Sequence, residues 1–139
     1  MASIMACCTK QEEIASVLYI YCVNLGMSES MVPIDFEERW SIVKNNHRYI
    51  GNQFDRCFVK INENIVYPVE NTDSAFKGQK SLHQKLKEYA LVVGSSDIVY
   101  PKCPTGRSLK QQWQVVKENH LKLTNTLGDV WDSLKYKSG

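Results

Sequence analysis

Eight side chains in this 139-residue chain could serve as nucleophile, general base or soft metal ligand: Cys7, Cys8, Cys22, Cys57 and Cys103, with His47, His83 and His120. A cysteine–histidine hydrolase needs a thiolate held against an imidazole, typically at a helix N-terminus that lowers the thiol pKa. Cys7 and Cys8 precede the first expected helix and Cys103 lies in a loop before the fourth, but none has the small-residue surroundings from which an oxyanion hole is built. Cys57 falls in an expected strand, where it packs. His47 and His120 fall mid-helix on apolar stripes, the pattern of core-edge histidines hydrogen-bonded to a neighbour. The sharper alternative has the two meeting across a bundle, as a pH-sensitive pair or around a borderline metal with Cys22 or Cys57. No spacing favours it. An odd cysteine count without a C-x-x-C pair argues against a disulfide framework or a zinc cluster. No catalytic residue, metal site or cofactor is expected, and a small cysteine-dependent enzyme ranks third among the functional readings.

Paired carboxylates give no better lead. Glu12-Glu13 and Glu37-Glu38 sit in expected first turns, where the helix dipole already favours negative charge. The phosphate-loop, dinucleotide, zincin, nucleophile-elbow and EF-hand patterns are all missing from the sequence. Pro104-Thr105-Gly106-Arg107-Ser108 could present backbone N–H groups to an anion at a helix start, although a simple turn explains it equally.

The positive residues carry more information. Residues 1–70 hold six Lys/Arg against nine Asp/Glu, and residues 71–139 hold eleven against six, so an acidic half adjoins a basic half. Such a split suits head-to-tail self-association or a basic face for a polyanion. Lys85 and Lys87 flank the third expected helix; Lys102, Arg107, Lys110, Lys117 and Lys122 flank the start of the fourth. Lys110 and Lys117 are seven residues apart and share a face. With Tyr100 nearby to stack on a base, these residues are the expected contact for single-stranded RNA or another polyanion.

The elements that must position these groups follow from capping signals and periodicity. Thr9 with Glu12 predicts a helix carrying Ile14, Val17, Leu18, Tyr21, Cys22 and Leu25, closed by Gly26. Asp35 with Glu38 predicts a second, carrying Phe36, Trp40, Val43, His47 and Ile50, with Gly51 just beyond. A third carries Leu82, Leu86, Tyr89 and Val93. It contains Ser81 with Gln84, starts as early as Asp73 with Gly78 inside, and stops at Gly94. Ser108 with Gln111 opens the longest, whose seam is Leu109, Trp113, Val116, His120, Leu123, Leu127, Val130 and Leu134. Between the second and third helices the apolar period falls to two, predicting a β-hairpin over residues 57–69, and residues 97–100 read as a short extended piece. No internal repeat is visible.

The expected fold is mainly α (α+β): about four helices in a bundle with a small hairpin, as one domain over 1–139. Four helices with a minor sheet at this length is similar to the layout of small coat proteins of rod-shaped plant viruses, an analogy of fold alone. The expected function is a non-enzymatic, self-assembling structural protein, a homo-oligomer that touches RNA through its basic half. The alternative is an interaction module, adaptor or antagonist, using the 109–134 seam. With no signal peptide, no membrane-length apolar run and no myristoylation glycine, a reduced cytoplasmic location is expected.

Overall fold

The computed structural model describes residues 4–27, 40–62, 69–93, 101–106 and 108–137. Four helices account for nearly all of them: α1 (Ile4–Asn24), α2 (Trp40–Asn62), α3 (Val69–Val93) and α4 (Leu109–Lys137). There is no strand among the described residues. The expected hairpin fails because its first arm, Cys57 to Asn62, continues α2, and Val69 opens α3. Residues 63–68, Tyr100 and the 97–100 piece lie outside the described residues, as do Asp35, Phe36 and Arg107. The likeness to coat proteins loses its sheet with the hairpin.

The ends of the helices explain themselves locally. Gly26, at φ 85°, closes α1: its N–H donates to Val23 O at 2.9 Å and Met27 N–H to Cys22 O at 3.0 Å. Those two bonds are a Schellman closure, and only glycine takes that φ without strain. At α4, Gln111 N–H donates to Ser108 Oγ and Ser108 N–H to Gln111 Oε1, both at 3.2 Å, a complete capping box. Thr9 does not cap. It lies inside α1 and bonds Met5 O at 2.9 Å, so Cys7 and Cys8 are buried helix residues rather than precursors to a helix. Gly51, expected just beyond the second helix, lies inside α2, and Gly78 lies inside α3 as expected.

Contacts between helices fix the topology. α1 packs on α2 and α3, and α4 packs on the same two, leaving α1/α4 and α2/α3 as the diagonals. Gln11 meets Val43 and Cys22 meets Cys57, so α1 and α2 run parallel. Thr72 meets Gln112 and Gln79 meets Val116, so α3 and α4 run parallel. Lys10 with Glu88, and Tyr21 with Gln79, make α1 and α3 antiparallel; His47 with Leu127, and His120 with Phe54, do the same for α2 and α4. The order is up-up-down-down, which needs long connections after α1 and after α3. The sequence supplies them in 25–39 and 94–108.

This arrangement exposes a repeat that no single period reveals. Gln11, Ile14, Leu18, Tyr21, Leu25 and Gly26 correspond to Gln79, Leu82, Leu86, Tyr89, Val93 and Gly94, at a spacing of 68. Trp40, Val43, Lys44, Asn46, His47 and Asn52 correspond to Trp113, Val116, Lys117, Asn119, His120 and Asn125, at a spacing of 73. The α1–α2 unit therefore recurs as α3–α4 about a pseudo-two-fold axis between α2 and α4. Gly94 and Trp113 are 19 positions apart where Gly26 and Trp40 are 14 apart, which changes the spacing and hides the repeat.

Both units bury their stripes in one core that includes Tyr21, Tyr89, Phe54, Ile50, Leu86, Leu123 and Leu134. Each such aliphatic or aromatic side chain contributes about 1.5–3 kcal/mol of burial free energy. Trp113, Leu86, Leu123 and Leu127 are core as expected, and Trp40 packs at its margin.

Candidate functional site

Two hydrogen-bonded polar chains cross the core, and the repeat relates them. In one, Gln11 Nε2 donates to Tyr89 Oη at 2.8 Å, and Tyr89 Oη lies 3.1 Å from His47 Nδ1. His47 Nε2 is 3.1 Å from Leu127 O. In the other, Gln79 donates to Tyr21 at 3.3 Å, Tyr21 Oη lies 3.0 Å from His120 Nδ1, and His120 Nε2 is 2.9 Å from Phe54 O. A main-chain carbonyl only accepts, so Nε2 carries the ring proton and Nδ1 accepts from the tyrosine. Each glutamine also donates to a carbonyl four residues before the histidine it serves indirectly: Gln11 to Val43 O and Gln79 to Val116 O, both at 2.8 Å.

These chains hold the histidines neutral. Burial lowers the pKa of each from 6.5 to about 4, against a smaller raising effect from the carbonyl bond. Burial likewise raises both tyrosines well above their ordinary value. Neither histidine contacts the other; each bonds a tyrosine on the diagonal helix. Among the described residues no three His, Cys, Asp or Glu side chains form a group able to hold a metal ion.

Above His47, on the outer edge of α2 and α4, the bundle opens into a cleft of about 480 Å³. His47, Arg48, Gly51, Asn52 and Asp55 line it from α2; Thr124, Leu127, Gly128 and Trp131 line it from α4. Glycine makes the opening. A Cβ built on Gly51 or on Gly128 meets nothing within 4 Å. Each glycine sits in a helix interior, where it forfeits about 1 kcal/mol relative to alanine. Trp131 forms a wall, its ring 4.8 Å from that of His47. Phe58 stands in the corresponding relation to His120, 5.5 Å away.

The expected basic surface is distributed differently. Lys85 faces α1, 3.9 Å from Glu13 and 3.6 Å from Glu88, on the edge of the bundle opposite the cleft. The Lys85–Glu13 pair joins a cation of the basic half to a carboxylate of the acidic half, so part of the charge split is matched within one molecule, and Lys10 reaches Glu88 at 3.0 Å beside it. Lys87 is exposed on α3, and Lys102 is exposed beyond it, with its backbone held by Asn119. Lys122, five residues after Lys117, is turned about 140° around α4. Lys110 and Lys117 lie on the α4 stripe that continues in heptad register to Thr124 and Trp131 of the cleft, about four and two turns before Thr124. Lys44, Arg48, Gly51 and Asp55 form the facing stripe on α2. The described members of the expected set therefore do not make one face, and none of them lines the cleft, which sequence reasoning missed. The signal was present: Trp-x-x-Val-Lys-x-Asn-His occurs at 40–47 and again at 113–120.

The expected partner seam is also internal. Trp113, Val116, His120, Leu123, Leu127, Val130 and Leu134 are all buried, so α4 spends this stripe on its own bundle. No protein family, curated protein or solved structure matches the chain. No described helix is long and apolar enough to cross a membrane.

Proposed function

We propose that this chain is a non-enzymatic binding protein whose α2/α4 cleft receives an unpaired nucleotide of single-stranded RNA. The observation that carries the reading is the empty space before both Gly51 and Gly128, beside Trp131. Two helix-weakening residues keep the cleft open to the backbone, which suits close approach of a ligand. Its volume falls in the range of small-molecule sites. The Trp131 ring supplies a stacking surface for a base, Arg48 supplies a cation at the rim for a phosphate with Lys44 and Lys117 on the flanking stripes, and Asp55 and Asn52 supply groups for the sugar and base edges. The polyanion contact expected from the sequence is thus moved from a basic C-terminal half to this edge.

Fluorescence anisotropy with a labelled single-stranded oligoribonucleotide, at about 50 and 200 mM salt, tests it. Affinity is expected to fall with salt and to drop at least about tenfold, the size of one lost 1.4 kcal/mol contact, in Gly128→Leu, while Lys87→Ala stays near wild type. Undetectable binding at low salt, or equal losses in Gly128→Leu and Lys87→Ala, removes the proposal.

One observation supports the interaction-module alternative, on another surface. α1 is apolar on both sides: Tyr19, Ile20 and Val23 are exposed on its outer face. A helix apolar all round is ordinarily covered. Light scattering coupled to sizing, comparing wild type with Ile20→Lys/Val23→Lys, tests self-association there; a wild type that stays monomeric at every concentration removes this reading.

A further inference from the structure

We infer that Cys22 of α1 and Cys57 of α2 are the site of an intramolecular disulfide, formed by a peroxide, that clasps the two parallel helices of the first unit. Their Sγ atoms lie 2.7 Å apart in the core, with Met27 Sδ 3.8 Å from Cys57 Sγ. No backbone movement of helical scale separates that contact from a bond of about 2.05 Å. The repeat shows that thiols are not needed there for packing. The corresponding residues of the second unit are Ala90 and Val130, buried in the same way on α3 and α4. The first unit therefore has a reactive pair exactly where the second has an inert one, in equivalent positions of the same fold.

The two sulfurs are unequal, as a nucleophile and its resolving partner must be. The bond from Cys57 and the charge of Arg56 lower the Cys22 pKa, whereas the bond to Cys22 and burial raise that of Cys57. Cys22 is the residue of the two that keeps a little exposure, at 3% against 0%. The Cys22 thiolate attacks a peroxide oxygen, the O–O bond breaks, and a sulfenic acid forms as hydroxide leaves and takes up a proton to become water. Cys57 sulfur then attacks Cys22 sulfur; the S–S bond forms, the S–O bond breaks, and the departing hydroxyl leaves as a second water with the Cys57 proton. Two thiols lose two electrons and one hydrogen peroxide gains them. The inference is independent of any ligand in the cleft.

The test uses the full folded chain carrying Cys103→Ser, which removes the exposed thiol. After hydrogen peroxide and removal of excess oxidant, mass spectrometry of the denatured, alkylated protein is expected to show two alkylated cysteines instead of four. Without alkylation its mass is lower by two hydrogens, and a proteolytic fragment joins Cys22 to Cys57. Dithiothreitol reverses all three. In Cys57→Val, which installs the residue of the second unit, dimedone is expected to trap a sulfenic acid at Cys22 that wild type does not accumulate. Four alkylated cysteines after peroxide, addition of two oxygens to Cys22 with no bond to Cys57, or a bond joining any other pair overturns the inference.

Discussion

Acidification is the perturbation for which the core gives the sharpest expectation. An unfolded histidine titrates near 6.5, and the folded His47 and His120 titrate at about 4. The folded pKa is the lower one, so the unfolded chain binds more protons between these values. Stability is therefore complete above about pH 6.5 and is lost as pH falls toward 4. At pH 5 the unfolded imidazoles are almost fully charged and the folded ones about one-tenth charged. The loss relative to pH 8 is about 2 kcal/mol per histidine, hence about 4 kcal/mol for both. No charge compensates from the packed elements. His47 faces Tyr89 of α3 and Leu127 and Trp131 of α4, with Gln11 of α1 behind the tyrosine and Arg48 and Asp55 only at the exposed cleft rim. His120 faces Tyr21 of α1 and Phe54 and Phe58 of α2, with Gln79 of α3 behind the tyrosine and the Cys22 and Cys57 thiols beyond it. Protonating either ring also leaves a buried tyrosine hydroxyl without its acceptor. Urea unfolding followed by circular dichroism from pH 8 to 5 measures the slope. His120→Gln keeps a donor toward Phe54 O; it is expected to start less stable and to show about half the wild-type slope. A wild-type midpoint that does not move between pH 8 and 5, or a full slope in His120→Gln, would refute the neutral-histidine account.

The remaining predictions concern stability at neutral pH. Gly51→Ala and Gly128→Ala should each raise stability by about 0.4–1 kcal/mol, read as a higher urea midpoint, because a Cβ meets open space at both. Gly78→Ala should do the opposite by about 1–3 kcal/mol, since its Cβ would lie 2.6 Å from Cδ1 of Tyr21, a ring already held by Gln79 and His120. Asn119→Ala should cost about 1–3 kcal/mol, because it releases both backbone groups of Lys102 and leaves Gln79 Oε1 buried. Its counterpart Asn46 has a buried Nδ2 without a partner, as does Gln11 at Oε1, so Asn46→Ala should cost less than Asn119→Ala in the same assay. Ser108→Ala should cost about 1 kcal/mol by dismantling the α4 cap.

Where local chemistry decides the structure, the sequence was legible. Gly26 and the Ser108–Gln111 box do at the helix ends what their types imply, and the alternating seam of α4 from Trp113 to Leu134 is the buried stripe. The hairpin was misread because Cys57, Val59 and Ile61 satisfy a period of two as well as a helix. Burial separates the cases: Cys57 and Ile61, four apart, are at 0% exposure while Val59 between them is at 57%. Thr9 was misread because its capping signature also permits a bond back to Met5 O within a helix. Around the site, the core placement of His47 and His120 was legible. The cleft was not, since Gly51 and Gly128 come together only once α2 and α4 pack antiparallel, and that topology depends on contacts across the chain.

The pseudo-two-fold axis has a consequence for what the α2/α4 edge can distinguish. Two identical subunits meeting there would present matching walls, and an elongated guest could lie either way round at equal energy. Fusing the halves into one chain frees the walls to diverge, and they have: Gly51 stands where the other half has Thr124, and Asp55 where it has Gly128. On the binding reading proposed above, such a cleft tells the head of its guest from the tail.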